Sequence, residues 1–499
     1  MAQTLSDALS WWARMQPDAA AVILNGEKLT YGHLKAWSDR VANDLVSRGI
    51  KPGDRVGICA LNSHAYCALI MGAIRIGAIV SPINFRFTVR EIADLTSTTE
   101  PKIVFAGQEF IESTKAAGLD VYPISEIEAL SAGQTVSVSH DIDPDAPVVI
   151  IATSGSTAKP KGVVFTHRTM TSYVGNWATE GPGSSVGAKI LSLAPLNTSA
   201  GFVQLIHYLV QGCTIYMQPT FVPSEVLKLI VEERLTCFGA VPVFFEAIAA
   251  LPEFADADLS SLKLVTCGGA RVSRRLLKTY KDKGVTIRQI YGQTEVGGNA
   301  TMMPEHLAMD EPEKCGWGGI YIELRVVRPD GSDCAPGEPG EIIMRSPGMM
   351  IGYWRNEVET AKALRDGWLY SGDIGSLDER GLLTYIDRMK DLIISGGLNI
   401  SAAEVEAVIS EYPGISEVLV IAAPCDKFGE TPLAVYHGPQ EVSVEDLIRH
   451  CNDNLSNFKV PRYVIYSPDP LPRLATGKMS KPGVRERYAD AHKSLQRVR

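Results

Sequence analysis

Residues 148–162 read VVIIATSGSTAKPKG, an unbroken apolar run that empties into a loop of Thr, Ser, Gly and Lys. Such a loop can hold an oxyanion. Gly155 lets the backbone turn its N–H groups toward a phosphate, Ser154, Ser156 and Thr157 add hydroxyl donors, and Lys159 and Lys161 bring positive charge. The spacing is not that of the common mononucleotide loop, because Lys161 is followed by Gly162 and no Ser or Thr. A surface turn rich in small polar residues is the plain alternative, so the remaining chain must decide.

The elements that would carry this loop alternate. Apolar residues at helical spacing over 30–49, including Leu34, Trp37, Val41 and Leu45, precede a strand at 55–60; a helix at 65–76, strands at 78–81 and 102–106 and a helix at 89–95 continue the pattern. Strands are expected at 148–152, 237–241, 264–267 and 287–290, helices at 170–178, 226–233, 243–251 and 271–283, and a strand and turn at 192–202. This alternation implies a largely parallel sheet with helices on its faces. Three of the strands end in small-residue loops at 153, 268 and 291, and the carboxyl ends of such strands line the ligand crevice of an open α/β sheet. From Glu323 the texture changes to short strands and Pro-Gly turns, a β-rich subdomain. The last hundred or so residues, with helices near 402–410 and 445–455 and a strand near 418–423, suit a compact α+β unit. The main boundary is placed at Arg388, giving domains 1–388 and 389–499.

A chain of 499 residues is too long for one ordinary core. Its net charge of −9 argues against a general nucleic-acid binder, while a local basic pocket for a small anion remains open. Nine scattered cysteines without a C-x-x-C pair suit reduced thiols in the cytoplasm and no metal cluster. The first residues, with Leu5, Leu9 and Trp12, suit an amphipathic helix and not a secretory signal, and the apolar stretch 65–80, broken by Arg75 and two glycines, falls short of a membrane span.

TSGSTAKPKG, YGQTE, YSGD, DRMKDLIISGG and LPRLATGK, in that order from Thr153 to Lys478, resemble the adenylate-forming superfamily of acyl-CoA synthetases, adenylation domains and firefly-type luciferases. The resemblance spans nearly the whole chain. It implies an α/β fold with a large N-terminal domain of mostly parallel sheets and a small, mobile α+β C-terminal domain. It also implies an AMP-forming acyl-CoA ligase that uses ATP, Mg²⁺ and coenzyme A. A carboxylate is a poor electrophile, so it must first be joined to the α-phosphate of ATP with loss of pyrophosphate, which brings two anions together and requires positive charge and positioning.

By this resemblance Thr153, Ser154, Gly155, Ser156, Thr157 and Lys161 would hold the β and γ phosphates. Thr294 would touch the α-phosphate, and Glu295 would bind Mg²⁺ with Thr157 or waters nearby. Tyr291, Gly292 and Gln293, with Gly268, Gly269 and Ala270, would receive the adenine, and Asp373 and Arg388 the ribose. Lys478 would bridge the acid carboxylate and the α-phosphate during adenylation. Lys390 occupies the hinge position about which the C-terminal domain would rotate before thioester formation. Ser395, Gly396 and Gly397 would line the pantetheine path, and Phe428 would stack on the CoA adenine or serve as core. Thr198, Ser199, Phe244, Phe245, Gly292 and Gly297 are candidate walls of the acid pocket.

Two departures stand out. Ala158 replaces the glycine usual in the family's loop, and Thr198 stands where relatives place a histidine, which implies a roomier or hydroxyl-lined acid site. With no Asp near 201–203 to meet an amino group, the implied partner is an apolar carboxylic acid, an aryl acid of benzoate or cinnamate type ahead of a medium-chain fatty acid. A stand-alone domain that loads a carrier-protein thiol is the competing function, and a catalytically silent nucleotide sensor, motivated by Ala158, is a third. A homodimer is compatible with the resemblance.

Overall fold

In the computed structural model the described residues are 4–137, 141–153, 160–178, 182–425, 427–473, 478–495 and 497–498. The chain forms two units, Met1–Leu324 with Ile343–Tyr370, and Arg325–Ile342 with Ser371–Arg499.

The first unit is built on two sheets, one of nine strands and one of seven. In the seven-stranded sheet Arg55–Cys59 pairs in parallel with Ile79–Pro82 and Ile103–Ala106, and Val80 on the second of these lies opposite Val149. Antiparallel strands appear at the edge, where Pro147–Thr153 turns back into Lys161–Thr166 and the short Gly352–Tyr353 adds to it. The nine-stranded sheet is parallel through Lys189–Ser192, Cys237–Ala240, Leu264–Cys267 and Ile287–Gln293 and becomes antiparallel at Gly298–Met302. Strands buried on both faces read as continuous apolar runs, and Val148 to Ile151 are all buried.

The apolar stretch after residue 64 is a helix, His64–Arg75, capped by Ser63, whose hydroxyl accepts from the Tyr66 N–H at 3.1 Å. Every residue from Ala65 to Arg75 is buried. Helix Tyr31–Ser47 packs closely on it because Gly72 has no side chain: a Cβ there would lie 2.6 Å from Val41 Cγ1. The helix ends after twelve residues, and no helix among the described residues is long and apolar enough to cross a membrane. At the N-terminus Leu5–Met15 is the expected amphipathic helix, with Leu5, Leu9 and Trp12 buried.

One expectation fails. Instead of a strand and turn over 192–202, the strand stops at Ser192 and a helix, Ser199–Val210, starts seven residues later. Thr198 and Ser199 resemble turn residues in the sequence, but Thr198 is an N-cap. Its hydroxyl accepts from Gly201 N at 3.2 Å and donates to the Pro195 carbonyl at 2.7 Å. Gly201 belongs to the first turn because a Cβ there would sit 2.1 Å from that same carbonyl.

In the second unit, Trp368–Leu377 passes Ser371 and pairs antiparallel with Leu383–Arg388, which sets Asp373 opposite Arg388. A second, five-stranded sheet contains Ile393–Ser395, Leu398–Ile400, Gly429–His437, Glu417–Cys425 and Tyr463–Ser467. One face packs helices Ala402–Ser410 and Val444–Asn454 through Val405, Ile409, Val420, Tyr436 and Leu447; the other packs helix Lys481–Tyr488 through Ile421, Leu433, Val435 and Val484. This is the α+β architecture expected for the C-terminal end.

Candidate active site

The strands that flank the expected phosphate loop pair up to Thr153 opposite Lys161. Ser154, Gly155, Ser156, Thr157, Ala158 and Lys159 lie outside the described residues. At the returning leg Gly162 is obligatory, since a Cβ would lie 2.5 Å from Ile150 Cγ2, and its carbonyl accepts from Trp354 N at 2.7 Å. The segment 350–354 is thereby pinned along these strands, with Tyr353 opposite Val163.

That docking gathers four side chains from distant stretches of the first unit. The Tyr353 hydroxyl donates to Glu295 Oε1 at 2.9 Å, and Met350 N donates to the Glu295 carbonyl at 2.8 Å. The Lys161 ammonium lies 5.0 Å from the centroid of the Tyr353 ring and bonds to the Glu359 carboxylate. Lys161 and Lys362 together hold the Glu359 carboxyl down to about 2, so this acid is ionised at any working pH. Burial, and then Glu295, push the Tyr353 phenol upward, which keeps it a donor.

Glu295 thus keeps one carboxylate oxygen clear of Tyr353. No group of three or more His, Cys, Asp or Glu side chains among the described residues could hold a metal. A single carboxylate is nevertheless the donor set that suits Mg²⁺, which keeps waters and is shared with substrate phosphates. Thr294 opens the turn Thr294–Val296, closed by Gly297 at φ 89°. Gly292 is fixed by backbone proximity, since a Cβ would fall 1.8 Å from the Gly298 carbonyl oxygen. Gln293 has an amide nitrogen without a partner among the described residues.

Tyr291 lies on Ile287–Gln293, buried, beside Thr301. The strand extends three residues beyond the expected 287–290, so the YGQ of the motif is itself strand. Gly268 and Gly269 follow the neighbouring strand Leu264–Cys267, whose last residue lies opposite Gln289, so they come level with Ile290 and Tyr291, with Ala270 exposed beyond.

The residues expected around the acid divide. Phe244 stacks on Phe221 with ring centroids 4.0 Å apart, and both are partly exposed. Phe245 is fully buried, packed 4.7 Å from Phe238 and 5.3 Å from Tyr280, as a core residue of the first unit. The Thr198 hydroxyl is engaged in its cap, while the Ser199 hydroxyl and both amide atoms of the buried Asn197 have no partner among the described residues. Gly297 packs on Tyr173, whose ring also meets His207 at 5.9 Å. Burial holds the His207 imidazole down to about 4, so it is neutral.

In the second unit Asp373 is 4 % exposed, with Arg388 Nε 3.4 Å from its Oδ1. Lys478 joins them: its side chain reaches the surface, yet crowding by protein atoms, and then Arg388, lower its pKa, while Asp373 acts in the opposite direction. Asp373, Arg388 and Lys478, from three segments of this unit, thus feel one another's charge. Lys390 sits between anchored acids: Asp391 pairs with Arg485 at 2.7 Å, and Asp387 accepts from Ser401 Oγ at 2.9 Å and Ala403 N at 3.0 Å. Its own pKa is lowered by burial and then by Arg388.

Ser395, Gly396, Gly397 and Phe428 also come together. Gly396 N donates to the Phe428 carbonyl at 2.8 Å, a Cβ on Gly396 would stand 3.1 Å from the Phe428 ring, and Ser395 pairs with Gly429. The guanidinium of Arg462 lies 4.7 Å over the same ring. Tyr353, Glu359 and Arg462 were not singled out from the sequence. Each lies far along the chain from its partner, so only the fold brings them to it.

Residues 9–354 match the model of the AMP-binding enzyme family, and residues 404–478 match that of the AMP-binding enzyme C-terminal domain. The chain is 35 % identical to a feruloyl-CoA synthase of Amycolatopsis over 95 % of its length and 97 % of that protein. It is 33 % identical to a long-chain-fatty-acid–CoA ligase of Mycobacterium tuberculosis, covering 93 % of each chain. Among solved structures, the o-succinylbenzoate coenzyme A synthetase of Bacillus subtilis in complex with ATP and magnesium superposes with a TM-score of 0.87 at 26 % identity, over 95 % of this chain and 98 % of that one. The chain therefore belongs to the AMP-binding, adenylate-forming superfamily and is an AMP-forming acyl-CoA ligase, an acid–thiol ligase.

Proposed function

We propose that this ligase activates an aryl acid of benzoate or cinnamate type and transfers it to coenzyme A. The observation that carries the reading is the 35 % identity, across nearly both whole chains, to a protein that makes feruloyl-CoA. The flat, partly exposed Phe221–Phe244 pair is a surface of the kind an aromatic ring stacks on.

In the first half-reaction a carboxylate oxygen of the acid attacks the α-phosphorus, and the bond to pyrophosphate breaks. Lys161 steadies the leaving phosphates, exchanging its bond to Glu359 for one to the nucleotide, and Thr294 donates to the α-phosphate. Glu295 is the residue that would hold Mg²⁺, which when bound neutralises the phosphate charge. Asp373 accepts from the ribose hydroxyls with Arg388 beside it, and Lys478 stabilises charge that develops between carboxylate and phosphate. In the second half-reaction the CoA thiol attacks the acyl carbonyl, AMP departs and the thiol proton passes to solvent. Phe428 and Arg462 are assigned to the CoA nucleotide, a ring for its base and a guanidinium for its phosphates.

A medium-chain fatty acid is the second reading; the 33 % identity to a long-chain-fatty-acid–CoA ligase favours a fatty acid without fixing the chain length. A panel of benzoates, cinnamates and C6 to C12 fatty acids, assayed for AMP release with ATP and CoA, tests the proposal. The highest kcat/KM should fall on an aryl acid, and a preference for alkyl chains would overturn it.

A further inference from the structure

Lys478 stands next to two chain legs, 471–473 and 479–481, that are held by two different carboxylates. The legs meet where Arg473 bridges Met479 and where Ser480 N donates to the Pro472 carbonyl at 2.7 Å. On the entering leg, Leu471 N donates to Glu417 Oε2 at 2.8 Å, and the Arg473 guanidinium pairs with Oε1 of the same side chain. On the leaving leg, Ser480 caps helix Lys481–Tyr488 through Gly483 N at 3.0 Å, and Lys481 Nζ lies 3.1 Å from Glu406 Oε1. Glu406 is itself fixed, because the same oxygen accepts from Val420 N at 2.7 Å.

Both acids stand on rigid ground. Glu406 is on helix Ala402–Ser410 and Glu417 begins strand Glu417–Cys425, the elements that make the core of the second unit. We propose that Glu406 and Glu417 are positioning residues for adenylation: they hold the two legs, by Lys481 on one and by Arg473 and the Leu471 amide on the other, and so fix where Lys478, next to Met479, can place its ammonium. The proposal rests on the reading of Lys478 as the adenylating lysine.

The Glu406–Lys481 pair is a poor choice for stability alone. Its side chains are only 18 % and 14 % exposed, and an ion pair so placed returns little beyond its desolvation cost. Burial drives the Glu406 carboxyl up to about 7, against the pull of Lys481 and Val420 N, with Asp387 adding to the rise. The charged groups that face it are thus Lys481 from helix Lys481–Tyr488 and Asp387 from Leu383–Arg388. Since the grip on Lys481 needs an ionised Glu406, adenylation should gain from rising pH through neutrality.

The test uses the full chain and Glu406→Gln, Glu417→Gln, Lys478→Ala and the double variant Glu406→Gln/Lys478→Ala. Two half-reactions are read with the best acid of the panel: acid-dependent pyrophosphate exchange, and thioester formation from synthetic acyl-adenylate and CoA. Each Glu→Gln change should lower exchange at least tenfold at pH 8 and leave thioester formation within twofold. Glu406→Gln should lower exchange no further in the Lys478→Ala background, and the rise of exchange across pH 6 to 8 should vanish. Equal loss in both half-reactions, an additive loss in the double variant, or unchanged exchange overturns the proposal alone. Exchange that survives Lys478→Ala overturns the reading beneath it as well.

Discussion

Replacement of Glu406 by Gln should remove a calculable pH response from the stability of the second unit. In the native protein the carboxyl holds its proton up to about 7, against an ordinary value of 4.5. A group bound more tightly to its proton when folded contributes stability that is full below the unfolded value and is lost as pH rises through the folded one. Between pH 5 and 8 the wild type should therefore lose about 2.5 kcal/mol relative to the Gln variant, at about 1.36 kcal/mol per unit of displacement. The slope of the difference against pH, and not its absolute size, reports the carboxyl. All seven tryptophans lie outside the second unit, so fluorescence would miss it. Hydrogen-exchange mass spectrometry of strands Glu417–Cys425 and Gly429–His437, with both proteins compared at each pH, reads the quantity directly. A difference that stays flat from pH 5 to 8 would refute the buried, proton-holding carboxyl, and an opposite slope would mean that Lys481 overrides burial.

Tyr353→Phe removes a hydrogen bond to a charged acceptor, worth about 1.5–3 kcal/mol, and releases Glu295 from its fixed orientation; pyrophosphate exchange titrated with Mg²⁺ should need on the order of tenfold more metal, with an unchanged requirement contradicting the role. Gly292→Ala places a methyl 1.8 Å from the Gly298 carbonyl oxygen, a clash that only backbone movement can relieve. A fall in melting temperature together with lost adenylation is expected, and a wild-type melt would contradict the packing. Arg462→Ala should raise the KM for CoA about tenfold, an effect of about 1.4 kcal/mol, and leave pyrophosphate exchange intact.

The parts of the fold that could be read from sequence are those whose cause is local. The run 147–153 is apolar because its strand is covered on both faces, and the helix after Ser63 declares itself by cap and composition. Helix Ser199–Val210 was hidden because its cap and first turn, Thr-Ser-Ala-Gly, have the composition of a loop, and only the Pro195 carbonyl reveals why glycine stands at 201. The same division runs through the site. Asp373, Arg388 and Lys478 lie in short motifs that the sequence displays, whereas Tyr353 reaches Glu295 across 58 residues through an edge strand too short to leave a periodic pattern. Phe245, adjacent to Phe244, shows how burial assigns two identical neighbours to different roles: one closes the core and the other stacks near the surface.

Adenylation by Lys478 is tested most directly by one assay: AMP release from ATP and an aryl acid, with and without CoA, by wild type and by Lys478→Ala. Wild type should release AMP with each turnover only when CoA is supplied and should form one acyl-CoA per AMP, and the variant should lose this activity by at least a hundredfold while still converting supplied acyl-adenylate to thioester. AMP release indifferent to CoA across the acid panel, or full turnover by Lys478→Ala, would contradict it.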